Sequence, residues 1–338
     1  MPEFRFFTLR HVKETLWIEL ANPPVNFLTI EICRELRRII KEADSDETVR
    51  VIVLTSGVAS RFIFHFFIPE LVAVAANIHK HGLGWMARHQ PFSTLLRWST
   101  GLTLAAMRRS SLAEALLLGL TRPLARSMPA LHVLMQMNAA YFAIENSRKV
   151  TIAAINGSCN GGGTEMSACF DFRFMVGDQN YTIGQPEVLV GIVAGGGGTQ
   201  RVSRLIGKAK ALELMMMCGQ WTAEQAKQAG LITDHFPADR FQQEVQSVAD
   251  HLSRRSAVAL IETRHAVSEG LEQGLSFGLA RETIATLRCC AEQGTREALA
   301  DYAGILDRSI LQRPDNPATL DEIVEELDAP PITRHFSR

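Results

Sequence analysis

One stretch of the sequence constrains the fold more than any other, because an apolar strand runs directly into a glycine loop and then a helix. Val150 to Ile155 is a largely β-branched, apolar run, and Gly161 to Gly163 follow it closely. Glycines leave backbone N–H groups open to a ligand, and the helix that begins there points its positive end at the same place. Glu165 lies one turn inside this helix. We therefore predict a carboxylate beside an anion-binding loop, with a glycine-rich turn and a solvated glutamate as the alternative.

A second carboxylate follows in a turn that a proline makes rigid. The segment Gly184-Gln185-Pro186-Glu187 places Glu187 directly after Pro186, at the edge of another predicted strand. Two carboxyl groups that share one water can divide proton transfer, one taking a proton from the water while the other donates a proton to carbon. Glu165 and Glu187 are therefore the predicted catalytic pair, provided that the fold brings them to one pocket.

Composition and charge restrict what the chain can bind. In 338 residues, 35 Lys and Arg stand against 36 Asp and Glu, so no overall field favours nucleic acid. The six cysteines lack framework spacing, and His79, His81 and His89 have no nearby Cys, so neither a disulfide framework nor a metal site is expected. The start of the sequence lacks a secretory pattern, and no run of about 18 apolar residues occurs. We expect a cytoplasmic protein without a transmembrane segment.

The predicted elements divide the chain into a mixed α/β part and a helical part. Alternation predicts a hairpin from Phe4–Arg10 and Thr15–Leu20, followed by a helix that Thr29 caps. Leu231 to Thr233 is predicted to be the last strand. From residue 240 to residue 311 the pattern is helical, and residues 314–331 read as a tail with one short helix. Strands are therefore expected in the first two thirds only.

Residues 72–127 break the pattern of short strands and are predicted to be several helical pieces. The segment from Asn77 to Arg126 has one acidic residue, Glu114, and seven basic residues, namely Lys80, Arg88, Arg97, Arg108, Arg109, Arg122 and Arg126. This local excess of positive charge indicates either a solvated helical insertion or a surface that attracts phosphate or an anionic membrane.

With these motifs, the sequence resembles the enoyl-CoA hydratase/isomerase superfamily, the crotonases. Val150 to Phe172 is similar to the central signature of that family, Gly184 to Gln200 to the second and Gly219 to Pro237 to the third. Two N-terminal segments, residues 23–26 and 49–55, also match. The resemblance covers about residues 4–71 and 128–305, and it leaves out most of residues 72–127.

The resemblance implies an α/β fold, a crotonase-like spiral of repeated ββα units with a C-terminal helical region that packs a homotrimer or a hexamer. The spiral core would comprise residues 1–71 and 128–239, the basic helical insertion 72–127, and the C-terminal region and tail 240–338. The implied ligand is an acyl-CoA thioester, with coenzyme A as part of the substrate and no separate cofactor. Hydration of a 2-enoyl thioester is the leading function, and isomerases and hydrolases of the fold share an enolate-like intermediate.

The resemblance also implies roles residue by residue. Glu165 and Glu187 correspond to the two catalytic glutamates, and the backbone N–H groups of Gly162 and Phe66 to the oxyanion hole. The triplet His65-Phe66-Phe67 stands where the family has Gly-Ala-Asp, which is the main departure from the family pattern. The implied substrate contacts are His65, Phe67, Ile68, Gly161 and Pro186.

Two rival functions remain open from the sequence. If the changed loop turns the Phe66 N–H away, the protein is a catalytically impaired scaffold that binds acyl-CoA. Gly274-Leu275-Ser276-Phe277-Gly278 fits the G-x-S-x-G pattern of serine hydrolases. That pattern requires a strand before the serine, whereas Ala257 to Gly270 is predicted to be a helix.

Overall fold

The computed structural model describes residues 4–313 and 315–336. The parts of the predicted N-terminal core and C-terminal tail that fall on residues 1–3, 314, 337 and 338 lie outside the described residues. The chain divides into two compact units, the first from residues 1–147 and 151–245 and the second from residues 148–150 and 246 onward. The first unit includes residues 72–127.

Within the described residues, the strands of the first unit form two sheets. The strands are β1 (Phe7–Val12), β2 (Thr15–Leu20), β3 (Val51–Ser56), β4 (Arg61–Ile63), β5 (Val150–Ile155), β6 (Ser158–Asn160), β7 (Phe172–Val176), β8 (Ile183–Gly184), β9 (Gln220–Trp221) and β10 (Asp234–Phe236). One sheet has the order β1-β2-β3-β5-β7-β10, and the other has the order β4-β6-β8-β9. The predicted hairpin is present as the antiparallel pair β1–β2, although β1 begins at Phe7 rather than Phe4.

Helices connect these strands. They are α1 (Ile30–Ser45), α2 (Ile68–Lys80), α3 (Leu83–Arg88), α4 (Phe92–Arg109), α5 (Ser111–Thr121), α6 (Pro129–Glu145), α7 (Gly162–Ser167), α8 (Gly198–Met216) and α9 (Ala223–Gln228), with 3₁₀ turns at Pro123–Ala125 and Glu187–Val190. The predicted cap of α1 is present, since the Thr29 hydroxyl accepts a hydrogen bond from the Ile32 N–H at 3.2 Å. The apolar face of α1 is buried through Leu36, Ile39 and Ile40.

The second sheet positions the candidate site. Strands β4, β6 and β8 are parallel neighbours, so their carboxyl ends lie at the same edge. β4 leads into residues 64–68, β6 leads into Gly161 and Gly162, and β8 leads into Glu187. Three segments that are distant in the sequence therefore arrive at one edge of one sheet.

The predicted strand at Leu231 to Thr233 is wrong by three residues, because the strand forms at Asp234–Phe236 instead. The Leu231 N–H donates to the Ala226 carbonyl at 2.8 Å, which closes the C-terminal end of α9. The carbonyl of Leu231 accepts from Nε of Arg173 at 2.9 Å. Leu231 and Ile232 are buried in a turn that ends the helix, and the chain becomes a strand only after that turn.

From residue 246 onward, the described residues of the second unit form helices and turns. Helix α10 (Phe241–Ser253) begins in the first unit, and α11 (Ala257–Gly270), α12 (Leu275–Ala291), α13 (Gln293–Leu306) and α14 (Leu320–Leu327) follow, with a π-turn at Asp307–Leu311 and a 3₁₀ turn at Ile332–Phe336. Ser276 lies in the first turn of α12, and α11 precedes it rather than a strand. This arrangement excludes the serine hydrolase alternative, which requires a strand directly before the serine.

Among the described helices, none combines the length and the apolar character needed to cross a membrane.

The single acid of the basic segment attaches that segment to the rest of the first unit. Glu114 on α5 is only 5% exposed. Its carboxylate accepts a hydrogen bond from Nε of Arg37 at 2.6 Å and pairs with Nζ of Lys41, both on α1. Burial alone would raise the pKa of Glu114, but the hydrogen bonds from Arg37 and Lys41 outweigh it and hold the pKa below its ordinary value.

We expect Glu114→Gln to lower the free energy of unfolding at pH 7 by about 2 kcal/mol, because Arg37 and Lys41 lose a buried counter-charge. Since the folded-state pKa is lowered, the difference should shrink as the pH falls through that pKa. Urea denaturation at neutral and acidic pH measures both effects. Glu42→Gln, which removes an exposed pair with Arg38, is the control and should cost about 0.5 kcal/mol or less. Equal losses in the two variants would contradict this role of Glu114.

Candidate active site

A glycine with a left-handed backbone carries the chain from β6 into α7. Gly161 has a φ of 53°. A Cβ added at this position would lie 2.8 Å from Oε1 of Glu187 and 3.2 Å from Cβ of His65. Only glycine accepts this conformation without strain and leaves room for both neighbours. The glycine predicted from the sequence therefore lies where the two other site segments meet.

Glu165 is buried in the helix that follows, with 4% of its surface exposed. Its Oε1 accepts a hydrogen bond from the Gly198 N–H at 2.9 Å. Burial raises the pKa of Glu165, and the N–H groups of Gly198 and Gly196 oppose this rise because they favour the charged form. Glu165 is thus a buried carboxyl group whose ionised form is stabilised by backbone dipoles.

Glu187 begins the 3₁₀ turn directly after Pro186. Burial, followed by the negative charge of Glu165, raises the pKa of Glu187 to about 7. The side-chain amide of Gln185, oriented by its hydrogen bonds, places its nitrogen 2.8 and 2.9 Å from the two carboxylate oxygens. The structure therefore brings Glu165 and Glu187 within electrostatic reach of each other, and it gives Glu187 a pKa at which a proton can be either held or released near neutrality.

An ion pair supports the loop that holds Glu165. Nε of Arg201 lies 2.5 Å from Oε1 of Glu145, and its Nη1 donates to the Gly196 carbonyl at 3.1 Å. The ring of the buried Tyr141 lies 5.3 Å from the guanidinium, and its hydroxyl donates to the Gly162 carbonyl at 3.3 Å. Sequence reasoning missed Arg201, Glu145 and Gln185. Only Gln185 had a local signal, because it adjoins the Pro186-Glu187 turn.

The loop with the unusual triplet lies against the start of α7. A Cβ added to Gly162 would lie 3.3 Å from the backbone nitrogen of Phe66. Two other N–H groups of this loop donate hydrogen bonds to backbone carbonyls, Phe64 to Asn26 and Phe67 to Leu28. Within the described residues, no hydrogen bond takes up the Phe66 N–H. Its joint action with the Gly162 N–H stays a prediction.

Aromatic rings surround this loop. His65 packs 4.5 Å from Phe64 and 5.1 Å from Phe27, measured between ring centroids. Phe67 packs 5.7 Å from Phe27, and Ile68, the first residue of α2, is exposed. His65 is not among the described residues that have a positive φ, so it does not need the backbone of the glycine that the family pattern has here. Among the predicted substrate contacts, Gly161 lies against both Glu187 and His65, and Pro186 directly precedes Glu187. The described hydrogen bonds link neither Phe67 nor Ile68 to Glu165 or Glu187.

We expect Glu187→Gln to become more stable relative to the wild type as the pH rises from about 5 to 8. The raised pKa means that the folded protein holds a proton that the unfolded chain releases near pH 4.5, so the wild type loses stability across this range while glutamine does not titrate. Urea denaturation at several pH values measures the difference, with Glu47→Gln at an exposed turn as the control. A pH-independent difference would show that Glu187 does not titrate near 7 in the folded protein.

The sequence is similar to a known protein family and to several of its members over about half of its length. The family model described as enoyl-CoA hydratase/isomerase matches residues 127–307. The 2,3-dehydroadipyl-CoA hydratase of Escherichia coli is 34% identical over 154 residues, which are 46% of this chain and 60% of that protein. The crotonyl-CoA hydratase of Syntrophomonas wolfei is 33% identical over 159 residues, which are 47% and 60% of the two chains. The matched part of the chain thus spans about three fifths of the length of these curated relatives.

Solved structures match over more of the chain. An enoyl-CoA hydratase from Geobacillus kaustophilus superposes with a TM-score of 0.69 at 22% identity, covering 90% of this chain and 95% of the other. Pseudomonas aeruginosa DspI superposes with a TM-score of 0.68 at 20% identity, covering 94% and 98%. These likenesses confirm the fold that the sequence motifs predicted.

Proposed function

The chain belongs to the enoyl-CoA hydratase/isomerase family, and we propose that it adds water across the 2,3 double bond of an acyl-CoA thioester, or removes it in the reverse direction. The observation that carries the proposal is that the buried Glu165, the half-buried Glu187 and a backbone N–H group without a described hydrogen bond come together at one edge of the second sheet. Glu187 lies beside Gly161, and Phe66 lies beside Gly162. This arrangement supports chemistry on an enolate-like intermediate.

In the proposed reaction, Glu165 accepts a proton from a water molecule as the water oxygen bonds to C3 of the substrate. The electron pair of the double bond moves toward the thioester oxygen, where the N–H groups of Phe66 and Gly162 stabilise the developing negative charge. Glu187 then donates its proton to C2. The pKa of about 7 suits Glu187 to the acid role, and the backbone donors of Glu165 suit that residue to the base role.

The oligomeric state, the location in the cell and the cofactor are proposed on separate grounds. A homotrimer or hexamer is proposed because Leu271, Leu275 and Phe277 expose large apolar side chains in the second unit. A cytoplasmic location is proposed because all six cysteines are free thiols, as expected in a reducing compartment. Coenzyme A enters as part of the substrate, and no separate cofactor is proposed.

We expect Glu165→Gln and Glu187→Gln each to lower the rate of crotonyl-CoA hydration by ~10²- to 10⁴-fold, since each removes one proton-transfer group and keeps the side-chain shape. Loss of the absorbance of the conjugated thioester measures the rate. Glu47→Gln is the matched control and should retain wild-type activity. Wild-type rates in both active-site variants would rule out this pair as the catalytic groups.

The aromatic cluster beside Phe66 favours a second candidate, an acyl-CoA-binding scaffold with impaired catalysis. Calorimetric titration with crotonyl-CoA distinguishes the two functions. Binding without turnover in the wild type supports the scaffold, whereas turnover that both glutamine variants abolish supports the hydratase.

The pH dependence gives a separate test. The active form of the pair carries one proton, on Glu187 for hydration and on Glu165 for the reverse reaction, so both directions need the same total protonation. We expect kcat/KM to fall above about pH 7 in both directions, as the pair loses that proton. Profiles measured with crotonyl-CoA and with 3-hydroxybutyryl-CoA check this, and a flat profile between about pH 6 and 9 would contradict it.

A further inference from the structure

Helix α4 carries large apolar side chains on an outward face. Leu95, Trp98 and Leu102 are 64%, 62% and 66% exposed. Their spacings of three and four residues place them on one side of the helix. The opposite side of α4 is buried through Met107, which packs with Met135. The outward stripe is therefore an unpartnered face of a helix that is already anchored on its other side.

The two helices that pack on α4 also expose large apolar side chains. On α5, Leu112, Leu116 and Leu120 recur every four residues and are all exposed. On α3, the exposed Trp85 packs against Phe92, with ring centroids 5.5 Å apart. Helix α3 packs on α4, and α4 packs on α5. We call these exposed apolar residues of α3, α4 and α5 the insertion face.

The exposed charged side chains of residues 77–126 are all basic or histidine. Six of the seven bases between residues 77 and 126 are exposed, namely Lys80, Arg88, Arg97, Arg109, Arg122 and Arg126. The single acid in that range, Glu114, is buried and paired with α1. The exposed surface of this range thus combines bases, tryptophan and leucine without an acidic side chain.

We propose that the insertion face binds peripherally to the surface of an anionic lipid bilayer. In such a complex the exposed tryptophans would lie among the lipid headgroups, and the leucines would contact the upper part of the acyl chains. The arginines would bind the lipid phosphates. The complementary charge favours an anionic bilayer over a second copy of the chain, because a second insertion face would bring like charges together. This inference does not depend on the proposed reaction.

The test uses the full chain and vesicles of phosphatidylcholine with or without phosphatidylglycerol. We expect the protein to float with the anionic vesicles and not with pure phosphatidylcholine, and to be released when salt rises from about 0.1 to 0.5 M. Tryptophan emission should shift to the blue on binding. Trp85 and Trp98 are exposed and report the contact, whereas Trp17 and Trp221 are buried at 3% and 9% exposure. Equal flotation with both vesicle types would overturn the proposal.

Two pairs of substitutions test the apolar and the electrostatic contributions to vesicle binding separately. The pair Trp98→Ser with Leu102→Ser, and the pair Arg97→Gln with Arg109→Gln, should each lower the partition coefficient about tenfold or more. The controls, Leu320→Ser and Arg240→Gln at exposed positions outside the insertion, should leave it unchanged. Thermal melting confirms that each variant is folded. The proposal would be refuted if both double variants floated with anionic vesicles as well as the wild type does. It would also be refuted if their only defect were a loss of self-association, measured by sedimentation without lipid.

Discussion

The burial of the Glu165 carboxyl group is the constraint on which the rest of the site depends. A carboxylate removed from water is costly unless hydrogen bonds replace its hydration. The Gly198 N–H supplies one such bond, and the carbonyl of the neighbouring Gly196 is held by Arg201, which is paired with Glu145. The ion pair of Arg201 with Glu145 therefore supports the loop that holds the buried acid in place. The pKa of Glu187 is raised first by its own burial and then by the charge of Glu165, so the two carboxyl groups influence each other.

The sequence predicted those parts of the site that local chemistry determines. The Gly161 to Gly163 loop, Glu165 and the Pro186-Glu187 turn each have a signal within a few residues, because glycine and proline restrict the backbone locally. The parallel order of β4, β6 and β8 has no such signal, and the family resemblance implied only a spiral of repeated ββα units without this order. The strand near residue 231 was displaced because helix termination and strand propensity compete for the same β-branched residues.

Long-range pairs were outside the reach of sequence reasoning. Arg201 and Glu145 are 56 residues apart, and Glu114 is 77 residues from Arg37. Each charge alone reads as a solvated surface residue, since only the fold shows that its partner is buried nearby. Glu114 illustrates the point. It is the single acid of the basic segment, yet it is buried and attaches that segment to α1 instead of lying on the surface.

The pairing of β4 with β6 joins Arg61 to Ser158, so the site closes a chain loop of nearly a hundred residues. Contacts between residues so far apart form slowly in folding, and Phe66 reaches Gly162 only once this loop has closed. Residues 72–127 all lie inside it. Because closure entropy grows only with the logarithm of loop length, these extra residues add roughly 1 kcal/mol to the cost of closing it. A loop whose ends are already fixed by two paired strands can thus grow by a whole group of helices with little effect on the stability of the site.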